Sequence, residues 1–358
     1  MNDSRIGFGL LGAGLIAPFH AQALQSSSRA RLVAVADANS GRLAKFTADF
    51  GCRGYAGLDG LLADPEVQVV NILTPNHRHY EAAVKAAHAG KHILVEKPPA
   101  MSLQEVDGMA AACEAAGVKA GVVLQCRIRK PIQAMRRAIC QGRFGRILQA
   151  DAFMKWFRAA DYYRMDAWRM SRSAGAGVTI QQAFHYIDLL HYLAGPVRSV
   201  WARMRNVAHP GLEIEDTLHA FVEYESGALG VVEASTALWP GTDIRIEISG
   251  ENGVAIMAGE RMEMWKFREE RPEDEEIRRY GSAAVATGAT GAADLGFHDH
   301  RVVIEDMVDA IETGGEPAIP LKSVRHTLEW ALAMYRSADR NAPVTLPLPV
   351  SEAASSAC

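Results

Sequence analysis

The stretch Leu10-Leu11-Gly12-Ala13-Gly14-Leu15-Ile16-Ala17 decides how the first third of the chain is read. The apolar run 5–11 predicts a strand, the small residues a tight turn, and 16–24 a helix. In this GxGxxA order Gly12 permits the turn, Gly14 lets backbone approach a pyrophosphate, and Ala17 lets the helix pack on the strand. The pyrophosphate then lies at the helix N-terminus, among the free N–H groups around Leu15 and Ile16, where the dipole favours an anion. The next strand ends at Asp37, 23 residues after Gly14, the place of the acid that accepts from a ribose 2′-hydroxyl. A carboxylate repels a 2′-phosphate, so NAD is favoured over NADP. Asn39 and Arg42 are placed with Asp37 at the adenosine end; Arg42 is the one feature that argues for NADP, as a counter-charge.

Outward from that unit the alternation continues. Strands are predicted at 31–37, 67–73, 92–96 and 118–124, and helices at 41–50, 77–89 and 103–116. Strands that are apolar throughout have both faces covered, and strand–helix alternation predicts a parallel sheet wound by right-handed crossovers. Near residue 125 the pattern changes. After a helix at 132–141 come strands from Ile147, then near 200–207, 217–224, 230–236, 243–249 and 254–257, with Glu225-Ser226-Gly227 and Glu251-Asn252-Gly253 as hairpin turns. Helices at 299–313 and 323–340 close the pattern. The expected fold class is α/β: a doubly wound parallel domain over 1–125, an α+β domain with a mostly antiparallel sheet over 126–345, and a tail over 346–358. The charge-dense 268–280 and the Gly/Ala/Ser/Thr-rich 281–296 are read as a solvated mobile loop, with a flap near a binding site as the alternative.

Length and composition bound the rest. The chain has 358 residues, which at roughly 150 per domain means two. Hydrophobic residues make up 49% and charged ones 22%, an ordinary globular balance. A net charge of −4 gives no global pull toward nucleic acid or an anionic membrane. No apolar run is long enough to span a bilayer, and Gly7, Gly9, Gly12 and Gly14 interrupt the only segment resembling a signal peptide. Five cysteines without CxxC spacing argue against a disulfide framework or zinc cluster and for a reducing cytoplasm. His77, His79, His88 and His92 lack an acidic ligand cluster, so no metal is expected. Trp201, Trp239 and Trp265 fall in or beside strands and are read as packing residues.

Four further motifs follow in order: Asn71-Ile72-Leu73-Thr74-Pro75-Asn76-His77-Arg78-His79, Val95-Glu96-Lys97-Pro98, His185-Tyr186-Ile187-Asp188, and Glu215-Asp216-Thr217. Together with the glycine turn they resemble the Gfo/Idh/MocA oxidoreductases over essentially the whole chain. The resemblance implies a Rossmann domain followed by a domain with a large open sheet, NAD(P), hydride transfer at a secondary alcohol or aldehyde carbon of a sugar, polyol or nucleotide sugar, and a homodimer or homotetramer built through the C-terminal sheet. It maps the catalytic lysine to Lys97 and the acid/base histidine to His185. It sets Thr74, Pro75, Asn76 and His79 over the nicotinamide half, with Glu96, Lys97 and Gln125 also on the cofactor side. The physical reading agrees. Lys97 ends a parallel strand, where open α/β sheets bind ligands, and can hold a developing alkoxide by charge. His185 titrates nearer neutrality and suits proton transfer, with Asp188 one helical turn on to orient it.

The chain departs from the family in ways that bear on substrate. Gln181 stands where many relatives have a carboxylate, so it can hold a substrate but not accept a proton. With Gln182 it reads as a hydrogen-bonding reader of hydroxyls, and an amide here resembles the nucleotide-sugar-acid dehydrogenase branch. Tyr163, Trp168 and Arg169 are familiar from that branch, and Arg127, Arg129, Arg164 and Arg169 suit a carboxylate or phosphate. Lys97, Arg127, Tyr163, Trp168, Arg169, Gln181, Gln182 and His185 are thus the expected substrate contacts. Two alternatives remain at this level: an epimerase or oxidoreductase that recycles a tightly bound NAD(P), and a non-catalytic NAD-dependent ligand sensor.

Overall fold

The glycine turn sits where the first sheet reverses direction. A computed structural model of the chain describes residues 4–281 and 296–349; the Gly/Ala-rich stretch between them and the tail from 350 lie outside the described residues. Contacts divide the chain into two compact units, 1–125 with 296–325, and 126–295 with 326–358.

The first unit holds β1 (Ile6–Leu11), α1 (Ala17–Gln25), β2 (Ala30–Ala36), α2 (Ser40–Phe50), β3 (Arg53–Tyr55), α3 (Leu58–Ala63), β4 (Val69–Ile72), α4 (His79–His88), β5 (His92–Glu96), α5 (Leu103–Ala116) and β6 (Ala120–Val123). The strands form one parallel sheet in the order β3-β2-β1-β4-β5-β6. Every residue of β1 and β4 is buried, as expected of strands covered on both faces. The order switches direction between β1 and β4, the place where such sheets bind ligands. Gly12 has φ +110°, and a Cβ there would lie 2.8 Å from the Leu73 carbonyl oxygen, so only glycine lets the two strand ends approach. The short β3 and α3 were not anticipated, because three- and six-residue elements carry too little periodicity to read.

The second unit holds α6 (Lys130–Cys140), β7 (Ile147–Lys155), α7 (Ala160–Arg164), α8 (Val178–Gln181), α9 (Phe184–Ala194), β8 (Val197–Arg205), β9 (Thr217–Tyr224), β10 (Leu229–Ser235), β11 (Arg245–Gly250), β12 (Gly253–Ala258), β13 (Arg261–Phe267) and α10 (Asp274–Ile277). After the undescribed stretch come α11 (His298–Thr313), α12 (Leu321–Arg340) and β14 (Val344–Thr345). The second sheet runs β13-β12-β11-β7-β10-β9-β8-β14. Its ladders are antiparallel except β7 with β10, which is parallel. β9 alternates buried and exposed residues, and α9 covers β7 and β11 on the inner side.

Three expectations are corrected here. The helix at 299–313, expected in the second domain, is α11 of the first unit; it packs on α1, β2 and β6 and buries Val303, Ile304, Met307 and Val308. The segment 268–280 is not a fully solvated loop. It carries α10, whose buried Asp274 accepts from Arg143 Nη1 at 2.7 Å, Trp265 Nε1 at 2.6 Å and the Arg271 N–H at 2.8 Å. The Arg143 guanidinium holds that carboxyl well below the usual range, against the opposing effect of burial. Of the three strand tryptophans only Trp265 is packed; Trp201 and Trp239 are 46% and 78% exposed.

Candidate functional site

In the first unit the site is built from backbone. A Cβ on Gly14 would meet nothing within 4 Å, so the turn leaves open space where a pyrophosphate would approach. Asp37 Oδ2 accepts from the Ala13 N–H at 2.8 Å and Oδ1 from the Asn39 N–H at 2.7 Å. The carboxylate is aimed by main chain and keeps lone pairs for two ribose hydroxyls. Asn39 caps α2, its Oδ1 accepting from the Arg42 N–H at 3.0 Å, while the Arg42 side chain is exposed. Beyond β4 and β6, Thr74 Oγ1 and Gln125 Oε1 are buried without a hydrogen-bond partner among the described residues. Buried polar atoms left this way need a ligand partner, so the residues present fit an NAD laid across the ends of β1, β4 and β6. Pro75 and Asn76 open the turn before α4, with Asn76 buried.

His79 is a correction. It is 0% exposed, with Nδ1 2.8 Å from the Pro98 carbonyl oxygen and Nε2 2.8 Å from that of Thr74. It ties the loops after β4 and β5 together from beneath and presents no atom to a cofactor. Burial pushes its pKa down. Glu96 is also committed internally: Oε1 lies 3.0 Å from His20 Nε2, and Oε2 accepts the Lys97 N–H at 3.2 Å. Both of its oxygens are thus engaged at the end of β5. Lys97 follows at the mouth of the sheet, half-buried.

In the second unit, α8 and α9 carry the expected readers. Gly177 precedes α8 with φ +114°, and a Cβ there would lie 2.4 Å from Glu215 Oε2. Glu215 Oε1 accepts from the Thr179 N–H at 2.9 Å and from Tyr335 Oη at 2.7 Å, so a carboxylate from the strand side fastens the start of α8. Burial pushes the Glu215 pKa up. Asp216 accepts from the N–H groups of Val207 and Ala208 and lies 2.9 Å from His209 Nδ1. The Glu-Asp-Thr motif is therefore a fastening for the segments around the site. Gln181 and His185 are half-buried, on α8 and at the start of α9.

Two expected contacts have other duties. Asp188 is engaged by other partners: it is 0% exposed, taking Arg127 Nε at 2.6 Å, Arg127 Nη2 at 2.6 Å and Thr327 Oγ1 at 2.8 Å. Arg127 is thereby engaged inside the protein and anchors α9. Tyr163 is 3% exposed, packs on Ala176 and Ile214, and pairs its hydroxyl with Thr236 Oγ1 at 2.7 Å; burial pushes its pKa up to about 12. Its neighbour Tyr162, which sequence reasoning passed over, is the hub. Tyr162 Oη accepts from Arg169 Nη1 at 3.0 Å and Gln182 Nε2 at 3.1 Å. The Arg169 guanidinium lies over the Tyr162 and Trp168 rings at 4.8 and 4.6 Å, and Arg158 over the Trp156 and Tyr162 rings at 5.1 and 5.8 Å. With two hydrogen bonds accepted, the Tyr162 hydroxyl proton is free to be donated to a ligand. The missed signal was Tyr162 itself: in a Tyr-Tyr pair on a short helix nothing local says which ring faces inward.

Comparison with known proteins places this geometry. Residues 6–124 match the family described as "Oxidoreductase family, NAD-binding Rossmann fold", and 132–256 match the "GFO/IDH/MocA C-terminal domain". Levoglucosan dehydrogenase of Pseudarthrobacter phenanthrenivorans is 28% identical over 78% of this chain and 80% of its own length. The scyllo-inositol 2-dehydrogenase (NAD(+)) of Bacillus subtilis is 31% identical over 68% and 71%. Among solved structures, the WlbA dehydrogenase from Bordetella pertussis, in complex with NADH and UDP-GlcNAcA, superposes with a TM-score of 0.85 at 32% identity, covering 96% of this chain and 100% of that one.

Proposed function

The chain belongs to the GFO/IDH/MocA family of oxidoreductases, with an NAD-binding Rossmann fold, and from that premise we propose that it oxidises a secondary alcohol of an acid-bearing sugar, a nucleotide-sugar acid being the class that fits best. The observation that carries this substrate class is the Tyr162 hub, where Arg158 and Arg169, 6% and 7% exposed, bring two guanidinium groups to one aromatic ring. Guanidinium pairs of this kind suit a carboxylate or phosphate. The WlbA dehydrogenases similar to this chain were solved with UDP-GlcNAcA.

NAD is the cofactor, and when bound it supplies the hydride acceptor. The chain supplies the rest. Asp37 accepts from the ribose hydroxyls, and Thr74 and Gln125 offer buried polar atoms to the nicotinamide half. Lys97 holds the developing alkoxide by charge, and His185 accepts the hydroxyl proton. Gln181 and Gln182 fix substrate hydroxyls, and Arg127 orients α9 through Asp188. The test is a panel of nucleotide-sugar acids, free sugar acids, neutral sugars and polyols, assayed with NAD at the reduced-nicotinamide absorbance band. The expected result is a kcat/KM advantage for acidic members that Arg169→Met removes; equal turnover of acidic and neutral members would overturn the reading.

The same reading covers assembly. Trp201, Phe221 and Leu229, 46%, 64% and 62% exposed, share the open face of β8, β9 and β10, with Trp201 registered opposite Phe221. An apolar face of this kind marks an interaction surface, and a second copy of the chain is the proposed occupant. Light scattering should show an oligomer that Phe221→Glu dissociates. The cytoplasm is the proposed compartment, consistent with free cysteines at 52, 113, 126 and 140.

A further inference from the structure

Behind Lys97 lies a cluster that the reaction so far leaves unused. His20 on α1 and His300 on α11 are 1% and 2% exposed, and the Glu96 side chain between the sheet end and His20 is 13% exposed. Asn71 Nδ2 on β4 lies 2.8 Å from His20 Nδ1. With the amide donating there, the His20 proton is on Nε2, 3.0 Å from Glu96 Oε1. The other oxygen, Oε2, accepts the Lys97 N–H at 3.2 Å. A hydrogen-bonded line thus runs from β4 through α1 to the main chain of Lys97. The His300 ring abuts that of His20 edge-on, with centroids 4.7 Å apart, and Phe19 backs His300 at 6.4 Å.

The titratable groups facing Glu96 are His20 from α1, His300 from α11, His79 from α4, and Lys97 next in the chain; Asp299 faces His300. Burial alone would raise the Glu96 pKa. The hydrogen bond from His20, with Lys97 as the neighbouring cation, outweighs it and holds the carboxyl at about 2. Burial first, and His20 second, push His300 down to about 4, so it is a neutral ring near pH 7. A neutral, apolar-backed ring keeps water from the His20–Glu96 contact, where an excluded solvent leaves charges weakly screened.

We propose that His20 and His300 are positioning residues for Lys97: they fix the Glu96 carboxylate against the Lys97 main chain, and its charge keeps the Lys97 side chain an ammonium ion at the mouth of the sheet. The inference rests on the reading of Lys97 as the alkoxide-holding cation. The Lys97 charge helps to lower the Glu96 pKa, and by reciprocity the Glu96 charge favours the Lys97 cation; the peptide N–H spent on Oε2 holds the Lys97 backbone in place.

The test reads Lys97 directly in cofactor-free protein, by the pH dependence of its acylation with an amine reagent, followed by peptide mass spectrometry. Glu96→Gln, which keeps the shape and loses the charge, should move the Lys97 labelling profile to lower pH by about one to two units. His20→Leu should move it the same way by less, His20→Gln, which keeps a donor toward Glu96, should restore the profile most of the way, and His300→Ala, which opens the cluster to water, should move it the same way by less still. The alkaline limb of kcat should move in parallel, with NAD affinity within twofold. A merely structural role would lower melting temperature and leave the labelling profile unmoved. Unmoved profiles in Glu96→Gln and His20→Leu overturn the inference. Should Glu96→Gln not fold, identical profiles for His20→Leu and His20→Gln overturn it, and separated ones support it. Full turnover by Lys97→Met would instead defeat the reading of Lys97, a distinct outcome, because labelling is scored without turnover.

Discussion

The ends of the parallel strands and the α7–α9 segment meet their chemistry by different means. At the strand ends the backbone does the placing: a left-handed Gly12, an open Gly14, and N–H groups of Ala13 and Asn39 that aim Asp37. Around α7–α9 side chains place one another. Tyr162 gathers Arg169 and Gln182, and Asp188 gathers Arg127 and Thr327. A site built from backbone follows from motif and strand order. A site built from side-chain pairs depends on partners far away in sequence.

The largest expected effect falls on one residue of each region. Lys97→Met and His185→Ala should each lower kcat by about 10²–10⁴-fold, with NAD affinity nearly unchanged in titrations; near-normal turnover of both would erase the division of labour. Next comes the buried pair. Asp188→Ala should cost about 3–5 kcal/mol in urea denaturation, because it strands the Arg127 guanidinium inside the protein. Arg127→Met combined with Asp188→Leu should recover most of that loss; no recovery would mean that Asp188 acts otherwise.

On the backbone side, Asp37→Ala should weaken NAD binding by about 1–3 kcal/mol and narrow the gap to NADP, read by calorimetry. A further effect concerns pH. Burial holds His300 and His191 at about 4, against an ordinary 6.5, with His20 and His326 respectively adding to it. The unfolded chain takes these protons and the folded one resists, so stability is full above pH 6.5 and falls as pH drops toward 4. The slope is about 1.4 kcal/mol per pH unit per histidine, and denaturation at three pH values across that window should show it flatten in His300→Phe. The smallest effect separates two neighbours: Tyr163→Phe should cost about 1 kcal/mol of stability and leave KM alone, whereas Tyr162→Phe should raise KM with little loss of stability. The opposite pattern would exchange their places.

This contrast also explains what could be read from the chain unaided. The parallel sheet, the switch point and Asp37 follow from the GxGxxA turn and from strands that are apolar on both faces. Lys97 and His185 came with the family motifs. The choice of Tyr162 over Tyr163 did not, because both fit a short helix equally and only the Thr236 hydroxyl across the sheet decides which turns inward. Asp188 was read toward His185 for the same reason: one helical turn is a real proximity, but its carboxylate is taken by the buried Arg127 guanidinium and the Thr327 hydroxyl, both from outside its helix. His79 read as a cofactor contact because its motif resembles one, while its ring lies buried between the Thr74 and Pro98 carbonyls.

The return of α11 to the first unit bears on how the protein comes into being. A ribosome delivers β1 through β6 first, but the helix that covers α1 arrives only after residue 296, when every strand of the second sheet except β14 has already been made. The nucleotide-binding half therefore waits, with one flank of α1 bare, while the later half gains its strands. A chain cut at residue 125 would carry the whole glycine turn and lack the helix that packs on α1, β2 and β6.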